Sequence, residues 1–214
     1  MPNLPARQLS AEPRRTALVL IDLQNDFCHP EGIFAAAGLG LEDRDGLVAR
    51  VNALVAAARA AAVPVVWVRM VYDSEADVGM LAGCSPVRLE DGGLRRGTWG
   101  AELLAGLDAR PGDPQVDKTR FSAFFGTGFE SWLRAEGIER LVVGGVRTDV
   151  CVETTVRDAF MRDLEVLLAP DACASYVAEL HEAALRGLGV LFAEVSGRAR
   201  EVLGQSLPVP AQGR

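Results

Sequence analysis

The chain is 214 residues long, with 49% hydrophobic and 24% charged side chains. Those proportions can fill the core of one domain, or at most two small ones, and they exclude a disordered chain. With 29 acidic against 22 basic residues the net charge is −7, so no nucleic-acid partner is expected; no apolar run approaches the roughly 18 residues of a membrane span, so no membrane partner is expected either.

Residues 1–15 carry prolines and arginines but no apolar stretch of the secretory kind, so a flexible N-terminal segment and a cytoplasmic protein are expected. One domain is expected over 16–205, followed by a flexible tail over 206–214. Residues 17–21 form the first apolar run and read as a buried strand. It ends in Asp22, within Asp22-Leu23-Gln24-Asn25-Asp26-Phe27. Apolar positions at Leu47, Val51, Leu54, Val55, Ala58 and Ala62 then follow a helical stripe. A second strand is predicted over 63–68. Residues 72–98 are rich in Gly, Asp and Arg with weak periodicity; a loop of that length inside a domain points to a lid or an oligomer contact.

A weaker strand surrounds Val116 and runs into Lys118. Trp132 and Leu133 belong to a helix that Thr127 can cap. Residues 141–145 read as a buried strand, and a short turn leads to Cys151 and a helix with Val152, Val156, Ala159 and Phe160 on one face. A strand over 165–169, a helix through Leu180, Ala184, Leu185 and Leu188, and a strand over 190–195 complete the pattern. Strands alternating with helices imply a parallel sheet with helices on both faces, an α/β fold. No G-x-G-x-x-G or Walker pattern follows any strand, which removes most nucleotide-binding readings and leaves no cofactor to expect.

Cys28, Cys84, Cys151 and Cys173 are far apart, without a C-x-x-C pair, and the only histidines are His29 and His181. Neither a disulfide framework nor a structural zinc site is expected, and both histidines read as solvated. The basic residues are all arginine except Lys118, a position where a compact ammonium can serve and a wide guanidinium cannot.

In open parallel sheets ligands bind beyond the carboxyl ends of the strands. Asp22, Lys118 and Cys151 fall at three such ends: a carboxylate, an ammonium and a thiol. Taken singly, Asp22 can be a turn-former and Cys151 a small buried hydrophobe. Together they supply a nucleophile, an acid/base group and a charge that orients both. Thr148 or Asp149 can cap the helix after Cys151, which would put the thiol near free N–H groups and lower its pKa. Phe27, Trp99, Phe121 and Phe124 are candidate pocket walls. Arg147, Arg69 and the Arg95-Arg96 pair are candidates to bind a substrate carboxylate, Arg147 first because it adjoins the nucleophile.

Asp22 to Phe27, Lys118 with Phe121-Ser122-Ala123-Phe124, and Gly144-Gly145-Val146-Arg147-Thr148-Asp149-Val150-Cys151-Val152 resemble the three signature blocks of the isochorismatase-like cysteine hydrolases, in that family's order and spacing. Gly97-Thr98-Trp99-Gly100 and Asp171-Ala172 occur in similar contexts, and the likeness spans about residues 16–195. The resemblance implies a single-domain three-layer sandwich around a six-stranded parallel sheet. It implies an Asp22, Lys118 and Cys151 triad, and a cis peptide at Val146–Arg147 that turns the Arg147 and Cys151 N–H groups into an oxyanion hole. It implies a homo-oligomer acting on a small molecule, through amide or ureido C–N hydrolysis.

Nicotinamidases of that family hold a metal through an Asp-x-His…His set after the second strand. The corresponding stretch here, from Trp67 to Asp73, has no histidine, so no metal is expected. The blocks resemble those of ureido-acid amidohydrolases most, although Met70 replaces a polar substrate contact. Vinyl-ether hydrolysis of an isochorismate-like compound, or a catalytically silent binding module, are the alternatives.

Overall fold

The structure, a computed structural model, describes residues 6–207. The chain order is β1 (Thr16–Ile21), α1 (Asn25–Cys28), α2 (Ile33–Ala36), α3 (Arg44–Ala60), β2 (Val65–Met70), α4 (Glu75–Val78), β3 (Gln115–Lys118), α5 (Phe129–Ala135), β4 (Arg140–Val146), α6 (Glu153–Phe160), β5 (Glu165–Ala174), α7 (Ala178–Leu191), β6 (Glu194–Val195) and α8 (Ala199–Gly204). The strands form one six-stranded parallel sheet in the order β3-β2-β1-β4-β5-β6. Right-handed crossovers that leave β1 in one direction and β4 in the other place α3 and α6 on opposite faces, which makes three layers.

The central strands are apolar along their length because both faces are covered. Every residue of β1 and β4 is buried. In α3, Leu47, Val51, Leu54, Val55 and Ala58 lie on one face and are buried. Each of these leucines and valines contributes roughly 1.5–3 kcal/mol of apolar burial. Among the described residues no helix is long and apolar enough to cross a membrane.

Three boundaries differ from expectation. The strand predicted over 63–68 occupies 65–70, because Pro64 has no N–H to give a ladder and begins the strand instead of lying within it. The strand predicted over 165–169 continues to Ala174 through Pro170 and Asp171, accommodated by a register shift against β4 between Val143 and Gly145. The strand predicted over 190–195 is divided: α7 runs on to Leu191, 192–193 lead out of it, and β6 is only Glu194–Val195. A short apolar run has no periodicity of its own, and Leu188 continues the helical stripe into it.

Residues 6–15, expected to be loose, are tied across the base of the sheet. The first residues of β4, β5 and β6 do this. Glu194 accepts from Leu9 N–H (3.0 Å), Glu165 accepts from Ser10 N–H (3.1 Å), and Arg140 donates to the Ser10 and Glu12 carbonyls, both at 3.1 Å. Arg140 also pairs with Glu165 at 2.7 Å and is 2% exposed. Ser206 and Leu207 likewise hydrogen-bond to residues 14 and 16. The rest of the two expected flexible segments, 1–5 and 208–214, lies outside the described residues. Arg140→Met takes the nearer cation from the half-buried Glu165, leaving Arg14 at 3.4 Å, and removes the bonds to the Ser10 and Glu12 carbonyls, at a combined cost of about 3 kcal/mol. The expected result is a melting temperature lower by roughly 6–12 °C, read by circular dichroism; an unchanged Tm would show the strap to be idle.

At the centre of the sheet Gly145 has φ +125°, and a Cβ there would lie 2.1 Å from the Ile21 carbonyl oxygen. A glycine is therefore required where β4 leaves β1 and turns into the cis Val146–Arg147 peptide. This is the point where the strand order reverses direction, so a crevice opens there at the carboxyl edge.

Candidate active site

Asp22, Lys118 and Cys151 meet at that edge. Asp22 follows β1 in the left-handed region, φ 53°, with its N–H donated to the Val68 carbonyl at 2.8 Å. A non-glycine residue held there costs of order 1–3 kcal/mol and persists because the surrounding ladder imposes it. Lys118 is the last residue of β3, and its Nζ lies 2.7 Å from Asp22 Oδ2. Since β2 lies between β3 and β1, the reach is two strand spacings, roughly 9–10 Å. A long side chain is needed to close it. The two side chains are 0% and 1% exposed. The second carboxylate oxygen, Oδ1, is buried and has no hydrogen-bond partner among the described residues.

Cys151 lies in a widened single turn, Thr148–Val152, that leads into α6, and it is coupled to both charges. Burial dominates the electrostatics. It raises the Asp22 carboxyl, against the pull of Lys118. Burial alone would lower the Lys118 ammonium, but Asp22 and Cys151 together outweigh it and hold the proton more firmly than usual. Cys151 is pushed up by burial and by Asp22, with Lys118 opposing. The lowering expected from a helix start is opposed here, since burial first and then the Asp22 carboxylate push the thiol up. A buried cluster keeps one ion pair more readily than three charges, which favours carboxylate, ammonium and neutral thiol over a separate thiolate.

The turn itself is braced from both sides. Asp149 does not cap the helix. Its carboxylate accepts from Arg147 Nη2 at 2.6 Å and from the Ser175 hydroxyl; although burial pushes the carboxyl up, these contacts hold it below its ordinary pKa. His181, read as solvated, has Nδ1 2.8 Å from the Thr148 hydroxyl. His29 accepts the Glu31 N–H and stands edge-on to Trp99.

Cys151 faces a cavity of about 180 Å³. Phe27, Phe121, Arg147 and Met70 line it with Cys151 and Val150. Phe34 adds a wall stacked on Phe27, centroids 4.9 Å apart. The segment 72–98 closes the other side with Leu81, Cys84, Ser85, Pro86 and Leu89. It consists of α4 and two single turns, 79–83 and 89–91. Arg120 fastens it by donating to the Asp77 carbonyl at 2.6 Å. The Asp26 carboxylate takes the Leu94 N–H at 2.7 Å. Leu81, Leu89 and Phe34 escaped notice in the sequence because neither a strand nor a helix period runs through them.

Trp99 and Phe124 stand outside this cavity. Trp99 is 47% exposed because its one-turn helix buries Gly100 and Ala101 instead. Phe124 packs on Phe129, centroids 5.0 Å apart, beneath the Arg162 guanidinium. The arginines considered for a carboxylate are already matched. Arg147 pairs with Asp149 and lies over the Tyr176 ring at 5.1 Å. Arg69 pairs with Asp117, Arg96 with Asp73 and Asp117, and Arg95 donates to the Asp73 carbonyl. Among the described residues no group of three or more His, Cys, Asp or Glu is placed to hold a metal.

A six-stranded parallel sheet with this carboxyl-edge crevice is a doubly wound α/β ligand site, and comparison with known proteins gives the family. The isochorismatase domain model matches residues 16–200, so the chain belongs to the isochorismatase-like hydrolase family. Its curated relatives include the ureidoacrylate amidohydrolase RutB of Methylobacterium radiotolerans, 33% identical over 90% of this chain and 81% of that protein. RutB of Pseudomonas syringae pv. syringae is 35% identical over 92% and 89%. A cysteine hydrolase from Pseudomonas syringae pv. phaseolicola superposes with a TM-score of 0.83 at 28% identity, covering 95% of this chain and 97% of that one. A nicotinamidase from Bacillus subtilis gives 0.74 at 28% identity, over 85% and 99%.

Proposed function

We propose that this protein hydrolyses the C–N bond of a small amide or ureido compound, without a metal, through a thioester on Cys151. The observation that carries this reading is the buried Asp22–Lys118 pair beside the Cys151 thiol, with one Asp22 oxygen left without a donor. The name of the curated relatives, ureidoacrylate amidohydrolase, supports the same bond class.

In this mechanism the free Asp22 oxygen takes the thiol proton as sulfur attacks the carbonyl carbon. The carboxyl raised by burial is a stronger base than an ordinary aspartate. The Arg147 and Cys151 N–H groups would meet the oxyanion, a contact of the kind worth about 3–4 kcal/mol. As the C–N bond breaks, Asp22 returns the proton to the departing nitrogen and ammonia leaves. Water then adds to the thioester, giving its proton to Asp22; the C–S bond breaks, the acid departs, and the thiol recovers its proton. Lys118 stays an ammonium throughout and keeps Asp22 in place. The four cysteines are free, which fits a reducing, cytoplasmic setting.

The test is a panel of amides, N-carbamoyl acids, ureidoacrylate, biuret, nicotinamide and isochorismate, after dialysis against a chelator. Ammonia release and a Cys151 acyl adduct seen by mass spectrometry are expected from at least one C–N substrate. Pyruvate from isochorismate alone, surviving Cys151→Ala, or activity restored only by a divalent ion, would overturn the reading.

A further inference from the structure

The cavity at Cys151 has a chemistry unlike that of a site for a small acid. Phe34, Met70, Leu81, Leu89, Phe121 and Val150 face it, and Arg147 is the one charged side chain among the described residues that line it. That guanidinium is not free. Asp149 takes its Nε and Nη2 edge, at 3.3 and 2.6 Å, and Tyr176 lies beneath it. An anion brought to its remaining edge would meet a charge that Asp149 already balances. The next cation inward, the Lys118 ammonium, is committed to Asp22. A substrate carboxylate in this cavity would lose its water and gain no unpaired cation, an arrangement that costs far more than an apolar group in the same place.

Resting on the amidohydrolase reading above, we infer that the substrate carries a neutral, apolar group on the side of the carbonyl that stays attached to Cys151: a branched alkyl or phenyl residue of about benzene size. The volume fits this assignment. A dry cavity of about 150 Å³ lined by aliphatic and aromatic side chains accepts benzene, and the one here is about 180 Å³. The cap contributes the selectivity. Leu81 and Leu89 come from the 72–98 segment and close over the group that the sheet edge cannot cover, and the position of Met70 at the end of β2 removes a polar partner from the floor. The name printed for relatives, ureidoacrylate amidohydrolase, refers to an acid, so the neutral assignment predicts a different substrate for this chain.

Isocaproamide and succinamate make a matched pair: the second carries a carboxylate where the first carries an isopropyl group, and both present the same primary amide. Two measurements separate the proposal from the reading beneath it. Ammonia release gives kcat/KM for each, with phenylacetamide as a third substrate. Calorimetry on Cys151→Ala gives binding of each without turnover. Expected is a preference for isocaproamide of at least about a hundredfold in kcat/KM, matched in binding. Leu81→Arg, which sets an unpaired cation on the cap, should shift the ratio toward succinamate by about tenfold or more. Equal or better binding and turnover of succinamate overturns the neutral, apolar assignment and leaves the amidohydrolase reading standing. Preferential binding of isocaproamide with no ammonia from these amides or from the C–N panel above overturns the amidohydrolase reading and keeps the cavity assignment. No binding of either neutral amide overturns the assignment outright.

Discussion

Cys151→Ala should abolish turnover, by at least about four orders of magnitude, while the protein stays folded. The thiol is the sole nucleophile in the proposed route, and removing a nucleophile leaves only what binding and the oxyanion donors supply. The structural cost is small by comparison. The side chain shrinks by one sulfur at the floor of a cavity that already exists, so about 1 kcal/mol of packing is at stake. A thermal melt alongside the rate measurement separates the two effects. Residual activity within tenfold of wild type would remove Cys151 from the mechanism, and loss of the folding transition would make it a core residue only.

Lys118→Arg carries the second large effect. The change preserves charge, so an exposed lysine would be indifferent to it. Here the side chain is wholly buried and its ammonium sits 2.7 Å from Asp22. A guanidinium is wider and cannot occupy the same space without displacing β2 or the Asp22 turn, which costs about 1–3 kcal/mol in overpacking. The rate should fall at least about tenfold, equivalent to 1.4 kcal/mol of barrier. A pH profile distinguishes catalytic from structural loss. In the proposed route Asp22 works as an ionised base, so activity should fall as the pH drops through its pKa. Burial raises that pKa and Lys118 lowers it. With the cation displaced, the acid limb of kcat/KM should move to higher pH. A lower rate with an unmoved limb would make Lys118 a packing element, and an unchanged rate would leave it no role.

Arg147 illustrates the limit of reading a site from spacing. Its place four residues before Cys151 made it the first candidate for a substrate carboxylate. Spacing says where a backbone goes, but a guanidinium's availability depends on what else reaches it. Asp149, two residues on, and Tyr176, from after β5, both do. His181 is the converse case. It comes from α7, thirty-three residues beyond Thr148, and only the packing of α7 on the nucleophile turn brings the two together at 2.8 Å.

The sequence by itself determined the alternation of strands and helices, hence the parallel sheet, because near-continuous apolar runs and helical stripes are local patterns that any fold burying them must respect. It also singled out Asp22, Lys118 and Cys151, since each ends or follows a strand at the edge where such sheets bind ligands. Tertiary structure decided what those residues meet. It set the strand order that makes Lys118 span β2, the burial that pushes the Cys151 thiol up, the closure of 72–98 over the thiol, and the exclusion of Trp99 and Phe124 from the cavity. Each of these depends on groups distant in sequence sharing one low-dielectric space, where desolvation and contact energy are set by neighbours that no local pattern encodes.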